Sequence, residues 1–210
     1  MKKNIERETS CYHDFREMLV NLADKYSDRT AITYYKRGKE KFEKTYTQLR
    51  DDSFQFAGAL LKNGLNGRNT AIVSENSYEW LTAYFGIAIS GGVAVCIDID
   101  HYDDIIKKML ERADVEIVAA SPSMAVLLKG MCADLNIKTL IVLSEEPGDD
   151  GMSDAGFNCT SAAEFSRTCD EASLKTIGEL SYDSEQTVSI VYTSGTTSTA
   201  KPVMLSSRSI

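Results

Sequence analysis

At 210 residues the chain has room for one sizeable domain or slightly more, and its 43% hydrophobic and 26% charged residues are ordinary for a soluble globular protein. A formal net charge of −8 argues against non-specific nucleic-acid binding, which draws on excess Lys and Arg, while leaving a local anion site open. Five cysteines, an odd count with no CxxC pair, read as reduced thiols in a cytoplasmic protein and not as a disulfide framework or zinc site.

Residues 1–12 form a loose polar start without the apolar core of a signal peptide. His13 to Tyr26 reads as an amphipathic helix, with Phe15, Met18, Leu19 and Leu22 on one side. Ala31 to Tyr35 and Lys41 to Tyr46 read as strands around an Arg37-Gly38-Lys39 turn. Thr47 is placed to cap the next helix, which carries Leu49, Phe56, Leu60 and Leu61 and stops near Gly64. A βα rhythm follows. Thr70 to Val73 is a strand, and Ser77 opens a helix that ends at Gly91-Gly92. That helix is apolar nearly all round, so it is expected to be buried. Val93 to Ile97 is a near-continuous apolar strand, as in a parallel sheet covered on both faces. Asp103 to Ala113 is a helix, Val115 to Ala119 a strand, Ser121-Pro122 a helix start, and Lys138 to Leu143 another strand. Ser144 to Asn158 reads as a long loop and Thr160 to Cys169 as a short helix. The alternation predicts a mostly parallel, doubly wound α/β sheet flanked by helices over residues 13–210, with the segments around Ile72, Val95, Ile117 and Ile141 in it.

The most informative stretch is Val188 to Ser206, VSIVYTSGTTSTAKPVMLS. Two short runs, VSIVY and VML, read as strands around a loop with six hydroxyls, a Gly and one Lys. Backbone amides forming a nest, hydroxyl donors and an ammonium together suit several phosphate oxygens. The plain alternative is a polar surface hairpin, since Ser, Thr and Gly are ordinary loop residues. A Walker loop fits poorly: Ala200 stands at the second Gly, Pro202 follows Lys201, and the loop runs from strand to strand.

YTSGTTSTAKPVMLS resembles the nucleotide loop of the acyl-adenylate-forming enzymes, close to YTSGTTGxPKGVMLSH. Tyr192 to Thr197, Lys201 and Val203 to Ser206 match. Ser198 replaces a Gly, Ala200 a Pro, Pro202 a Gly and Ser207 a His. Upstream, TYTQLRDDSFQFAGALLKNGL with NTAIVSENSYEW, and GIAISGGVAVCIDID, are similar to the family's early segments, and the ENSYEW form most resembles the long-chain acyl-coenzyme A synthetase branch. The resemblance implies the N-terminal part of that family's large domain. It implies an enzyme that activates a fatty or other carboxylic acid with ATP and Mg2+ and passes the acyl group to coenzyme A. Thr193, Ser194, Gly195, Thr196, Thr197, Ser198 and Lys201 would then hold the phosphates, with no catalytic nucleophile and no metal ligand in this stretch. Because the family continues for several hundred residues, the chain is expected to be an N-terminal fragment that is inactive alone. Two alternatives stay open: a short non-catalytic binding or interaction module of the same sub-fold and, more weakly, an unrelated kinase-type phosphate-binding domain. A homo-oligomer is also open.

Other constellations weigh less. Asp98, Asp100, Asp103 and Asp104 around His101 suit a divalent cation in principle, but without the Gly and distal Glu of a calcium loop they read better as a strand end entering a helix. Glu75 and Glu79 read as helix-start acids and not as an acid/base pair. Trp80, Tyr84 and Phe85 read as core before they read as an acyl tunnel. Two histidines support neither a His-rich metal site nor a nucleophilic triad, and the longest apolar-rich run, Trp80 to Ile89, is too short to span a bilayer.

Overall fold

The computed structural model of the chain describes residues 12–36, 40–132, 134–144, 157–193 and 201–210. Seven strands form the main sheet in the order β7-β6-β5-β3-β4-β8-β9. They are β3 (Asn69–Val73), β4 (Val93–Ile97), β5 (Ile117–Ala120), β6 (Thr139–Val142), β7 (Asn158–Ser161), β8 (Thr187–Thr193) and β9 (Lys201–Ser206). Every neighbouring pair is parallel except β8 with β9. The segments around Ile72, Val95, Ile117 and Ile141 therefore lie in one parallel sheet, as the βα rhythm predicts.

The apolar runs are continuous because both faces are covered. Val73, Val95, Val118 and Leu140 point toward α4 (Asp103–Arg112) and α5 (Pro122–Cys132). Their neighbours Ile72, Ala94, Ile117 and Ile141 point the other way, with Phe56 and Leu60 of α2 (Tyr46–Lys62), Ile87 of α3 (Tyr78–Ile89) and Phe165 of α6 (Ala162–Arg167). Ile72, Ile117 and Ile141 are fully buried, each worth about 1.5–3 kcal/mol over an exposed side chain. Outside these layers α1 (Phe15–Tyr26) and α7 (Glu171–Glu179) pack on α2 and its surroundings.

A separate antiparallel hairpin joins β1 (Thr30–Lys36) to β2 (Glu40–Thr45). Its anchor is Tyr78, whose hydroxyl donates to Asp52 at 2.6 Å while Tyr34 stacks on its ring at 6.0 Å and the Lys44 ammonium lies 4.6 Å from the ring centroid.

Several expectations are corrected. The helix after the hairpin is capped by Thr45, two residues before Thr47: the Thr45 side chain accepts from Gln48 N–H, and Gln48 returns a bond to the Thr45 N–H, a closed capping box. Asn158 to Ser161, read as the end of a loop and the start of a helix, is instead edge strand β7, and α6 begins only at Ala162. The helix α7 was not anticipated. In α3 the inward residues Ala83, Ile87 and Ile89 are buried, but Trp80, Leu81, Tyr84 and Phe85 are half-buried, so this helix is not enclosed all round. The loop expected from Ser144 onward falls mainly on residues outside those described, as does the expected polar start before Tyr12.

Candidate phosphate site

The strands of the candidate site form as their composition dictates. β-branched and aromatic residues in VSIVYT extend β8 beside β4, and KPVMLS returns as β9 along the outer edge. The register pairs Thr193 with Lys201 and Tyr192 with Pro202. Thr193 and Lys201 thus face each other where the two strands open into the loop, and the Thr193 hydroxyl donates to the Lys201 carbonyl at 3.4 Å. Both residues are exposed. Ser194, Gly195, Thr196, Thr197 and Ser198 lie outside the described residues. Of the seven predicted phosphate contacts the structure places these two, side by side.

This opening is at the carboxyl end of β8, and because β3, β4, β5 and β8 are parallel, the segments following the first three emerge at the same end. The connection after β3 leads to α3 on one face of the sheet and that after β4 to α4 on the other. Such a reversal in winding leaves a crevice at the carboxyl ends of the strands, where open α/β sheets bind ligands. Around it lie Glu75 after β3, Asp98 and Asp100 after β4, and Ser121 after β5. Glu75 accepts from the Ser123 hydroxyl at 3.1 Å, and Ser121 stands 3.0 Å from Ser123. Hydrogen bonds, from Ser121 above all, hold the Glu75 carboxyl below its usual range. Sequence reading treated Ser121 only as a helix cap and missed this link between neighbouring strand ends.

The acidic cluster resolves into local structure. Asp98 accepts from the Asp100 N–H at 3.0 Å, Asp103 and Asp104 occupy the first turn of α4, and Asp104 pairs with Lys108 at 3.4 Å. Among the described residues no group of three or more His, Cys, Asp or Glu side chains is arranged to hold a metal ion. Burial pushes the Cys96 and Cys132 thiols up to about 11, which leaves little thiolate for nucleophilic chemistry. Trp80, Tyr84 and Phe85 line, with Phe15, Met18 and Arg208, a cavity of about 840 Å³. Arg208 follows β9 and Ser184, also on the cavity wall, precedes β8, so the cavity lies toward the end of these strands opposite Thr193 and Lys201.

Comparison with known proteins agrees with this fold. The profile of the AMP-binding enzyme family matches residues 19–210. The chain is 27% identical over 206 residues to the long-chain-fatty-acid–CoA ligase ACSBG1 of Rattus norvegicus, covering 96% of this chain and 28% of the relative. It is 24% identical over 196 residues to the crotonobetaine/carnitine–CoA ligase of Salmonella enteritidis, covering 91% of this chain and 36% of the relative. The chain therefore spans about a quarter to a third of the length of these relatives. Among solved structures, the anthranilate CoA ligase AuaEII bound to anthranoyl-AMP superposes with a TM-score of 0.74 at 21% identity, over 95% of this chain and 36% of that one. The long-chain-fatty-acid–CoA ligase FadD1 of Archaeoglobus fulgidus superposes with a TM-score of 0.73 at 14% identity, over 94% of this chain and 38% of that one. These structural likenesses establish the fold. With the family profile running over nearly the whole chain and ending beyond the loop whose stem is described above, the chain belongs to the AMP-binding enzyme family.

Proposed function

We propose that the chain is the phosphate-holding N-terminal part of an ATP-dependent acyl-adenylating ligase, which joins a carboxylic acid to AMP and then passes the acyl group to coenzyme A. The observation that carries this reading is the profile match over residues 19–210, with Thr193 and Lys201 meeting at the carboxyl end of a parallel sheet. In the proposal the hydroxyls and amides of Thr193, Ser194, Gly195, Thr196, Thr197 and Ser198, with the Lys201 ammonium, hold the β- and γ-phosphates of ATP, so that the α-phosphorus faces the carboxylate. Such catalysis works by positioning and charge stabilisation, without a nucleophilic side chain. Hydroxyl, amide and ammonium donors fit polyphosphate oxygens. Mg2+ takes its oxygen ligands from substrate phosphates, water, carboxylates and hydroxyls, and bound beside the phosphates it would neutralise their charge. A fatty acid is the proposed substrate class, supported by the ligase relative at 27% identity, and transfer to coenzyme A by the ligases among the relatives. A cytoplasmic location belongs to the same proposal; no described helix is long and apolar enough to cross a membrane.

The test is Lys201→Ala in an enzyme that carries this segment, read by single-turnover acyl-adenylate formation with melting temperature in parallel. Lys201 is exposed, so little stability is at stake. Loss of one charge-assisted contact to phosphate costs about 2–4 kcal/mol in the transition state, or roughly 30- to 1,000-fold in rate. An unchanged rate would remove Lys201 from the site, and a rate that falls only in step with stability would favour the plain surface hairpin. The proposal also has the 210-residue chain alone giving no acid-dependent exchange of pyrophosphate into ATP; measurable exchange would overturn that part.

A further inference from the structure

The ladder between β4 and β8 ends early. Its pairs are Ala94 with Ser189, Val95 with Ile190 and Cys96 with Val191. Tyr192 and Thr193 run past the last of these and continue in the antiparallel pairing with β9, opposite Pro202 and Lys201. The stem of the loop is therefore a two-stranded ribbon that stands clear of the parallel ladder. Two-stranded ribbons are marginal in water, and Pro202 brings no N–H to this one.

Tyr192 supplies a tie to the helical layer. Its half-buried ring packs against the core beneath α4, and its hydroxyl donates to the Met109 carbonyl at 3.0 Å, across 83 residues of sequence. Met109 lies in the last turns of α4, where the same carbonyl also accepts the Ala113 N–H at 3.1 Å. A carbonyl oxygen has two lone pairs, so the second bond is made without breaking the helix. Side chains alternate along a strand, so Tyr192 shares the α4 side with Ile190, while Thr193 and its partner Lys201 face the other side. The tie holds the ribbon without occupying the surface that Thr193 and Lys201 present.

We infer that Tyr192 is a positioning residue for the phosphate loop: its bond to the Met109 carbonyl fixes the Thr193–Lys201 stem, and through it the affinity of the loop for a polyphosphate. The inference rests on the phosphate-holding reading above. No phosphate contact is assigned to Tyr192 itself.

The experiment compares the parent chain, Tyr192→Phe and Ile190→Val. Ile190→Val trims the same strand face without touching the tie and serves as the control for general loss of packing. Amide hydrogen exchange at Thr193 and Lys201 in the free chain reads the stem. Calorimetric titration with inorganic pyrophosphate at fixed ionic strength reads affinity, with Lys201→Ala marking binding at the loop. Tyr192→Phe is expected to speed exchange at both stem amides and to weaken pyrophosphate binding about three- to tenfold, the range of one hydrogen bond. Ile190→Val is expected to lower the melting temperature while leaving pyrophosphate affinity at the parental value. Parental exchange and parental affinity in Tyr192→Phe would overturn the inference. Equal loss of affinity in both variants would assign the effect to packing and overturn it as well. A parent chain that does not bind pyrophosphate would instead overturn the phosphate-holding reading, and the role of Tyr192 in binding would fall with it.

Discussion

Replacing Gly86 by Ala sets two effects of opposite sign against each other. In a helix interior Ala is favoured over Gly by about 1 kcal/mol. Gly86, however, lies where α3 packs on α2, and a Cβ built there would meet Phe56 Cδ1 at 2.7 Å and Phe56 Cβ at 2.9 Å. The second distance decides the sign. A turn of the Phe56 ring relieves the first clash, but Phe56 Cβ is fixed to the α2 backbone, so relief there needs one helix to move. Phe56 is 2% exposed and its ring lies 5.4 Å from that of Phe165 on α6, so the layer has little slack. Overpacking of this kind costs about 1–3 kcal/mol. Subtracting the propensity gain leaves Gly86→Ala destabilised by about 1 kcal/mol, a fall of about 2–4 °C in melting temperature for a chain of this size. Gly130→Ala in α5 is the matched control. Nothing lies within 4 Å of the Cβ it would gain, so only the propensity gain applies. Equilibrium urea unfolding at an unchanged m-value measures both. If Gly86→Ala proves as stable as the parent, or rises with Gly130→Ala, the close approach of α2 and α3 is not what excludes a side chain there.

Two further substitutions probe the outer helices. Arg16 Nη1 donates to the carbonyls of Ile177, Gly178 and Leu180, each at 2.9 Å, and so satisfies the end of α7, while its guanidinium lies 4.7 Å from the centroid of the Tyr182 ring. Arg16→Lys keeps the charge but loses the planar guanidinium that sets Nη1 among the three carbonyls and over the Tyr182 ring; a loss of about 1–2 kcal/mol in urea unfolding is expected, and a parental midpoint would show that the carbonyls are satisfied without it. Asp170 caps α7 and pairs with Lys62; the Lys62 bond, then the bonds from Ser173, hold its carboxyl at about 2 against an ordinary 3.8. A carboxyl lowered on folding stabilises above its unfolded value and loses that contribution as pH falls through its folded value. Asp170→Asn keeps a capping oxygen but does not titrate, so the stability difference from the parent should be level above about pH 4 and shrink toward pH 2. Urea midpoints stepped through that range check it, and a difference independent of pH would remove the charge of Asp170 from the account.

How much of this was legible in advance follows from where each signal resides. The parallel sheet was legible because burial on both faces forces runs such as Val93–Ile97, which no surface strand would tolerate. Edge strand β7 was not: Asn-Cys-Thr-Ser has little strand character of its own and extends because β6 offers it a ladder. The cap at Thr45 was written in the Thr-Tyr-Thr-Gln pattern, but two threonines competed, and the return bond from Gln48 selects the first. For α3, an apolar composition says what a helix is able to bury. It does not say what surrounds the helix, and the half-buried side of Trp80, Leu81, Tyr84 and Phe85 marks that difference.

The candidate site divides along the same line. Strand, polar loop, strand is a local pattern, so the meeting of Thr193 with Lys201 could be anticipated from residues near each other in the chain. The tie from Tyr192 could not, because its acceptor is a backbone carbonyl, which every residue carries and no motif marks. Only the topology supplies it. β8 pairs beside β4, α4 departs from β4 over the face that Ile190 and Tyr192 share, and that placement brings a helix end within reach of the loop stem. An aromatic ring at position 192 would satisfy the packing whatever its substituent. The hydroxyl adds a fixed point between a short ribbon and a helix already held by Ile106, Met109 and Leu110 in the core. On the phosphate-holding proposal, a loop that grips phosphate oxygens through amides and hydroxyls is best served by ends set by something stiffer than itself. Here one end is Thr193, next in the chain to the tied tyrosine, and the other is Lys201, held to Thr193 by the strand register.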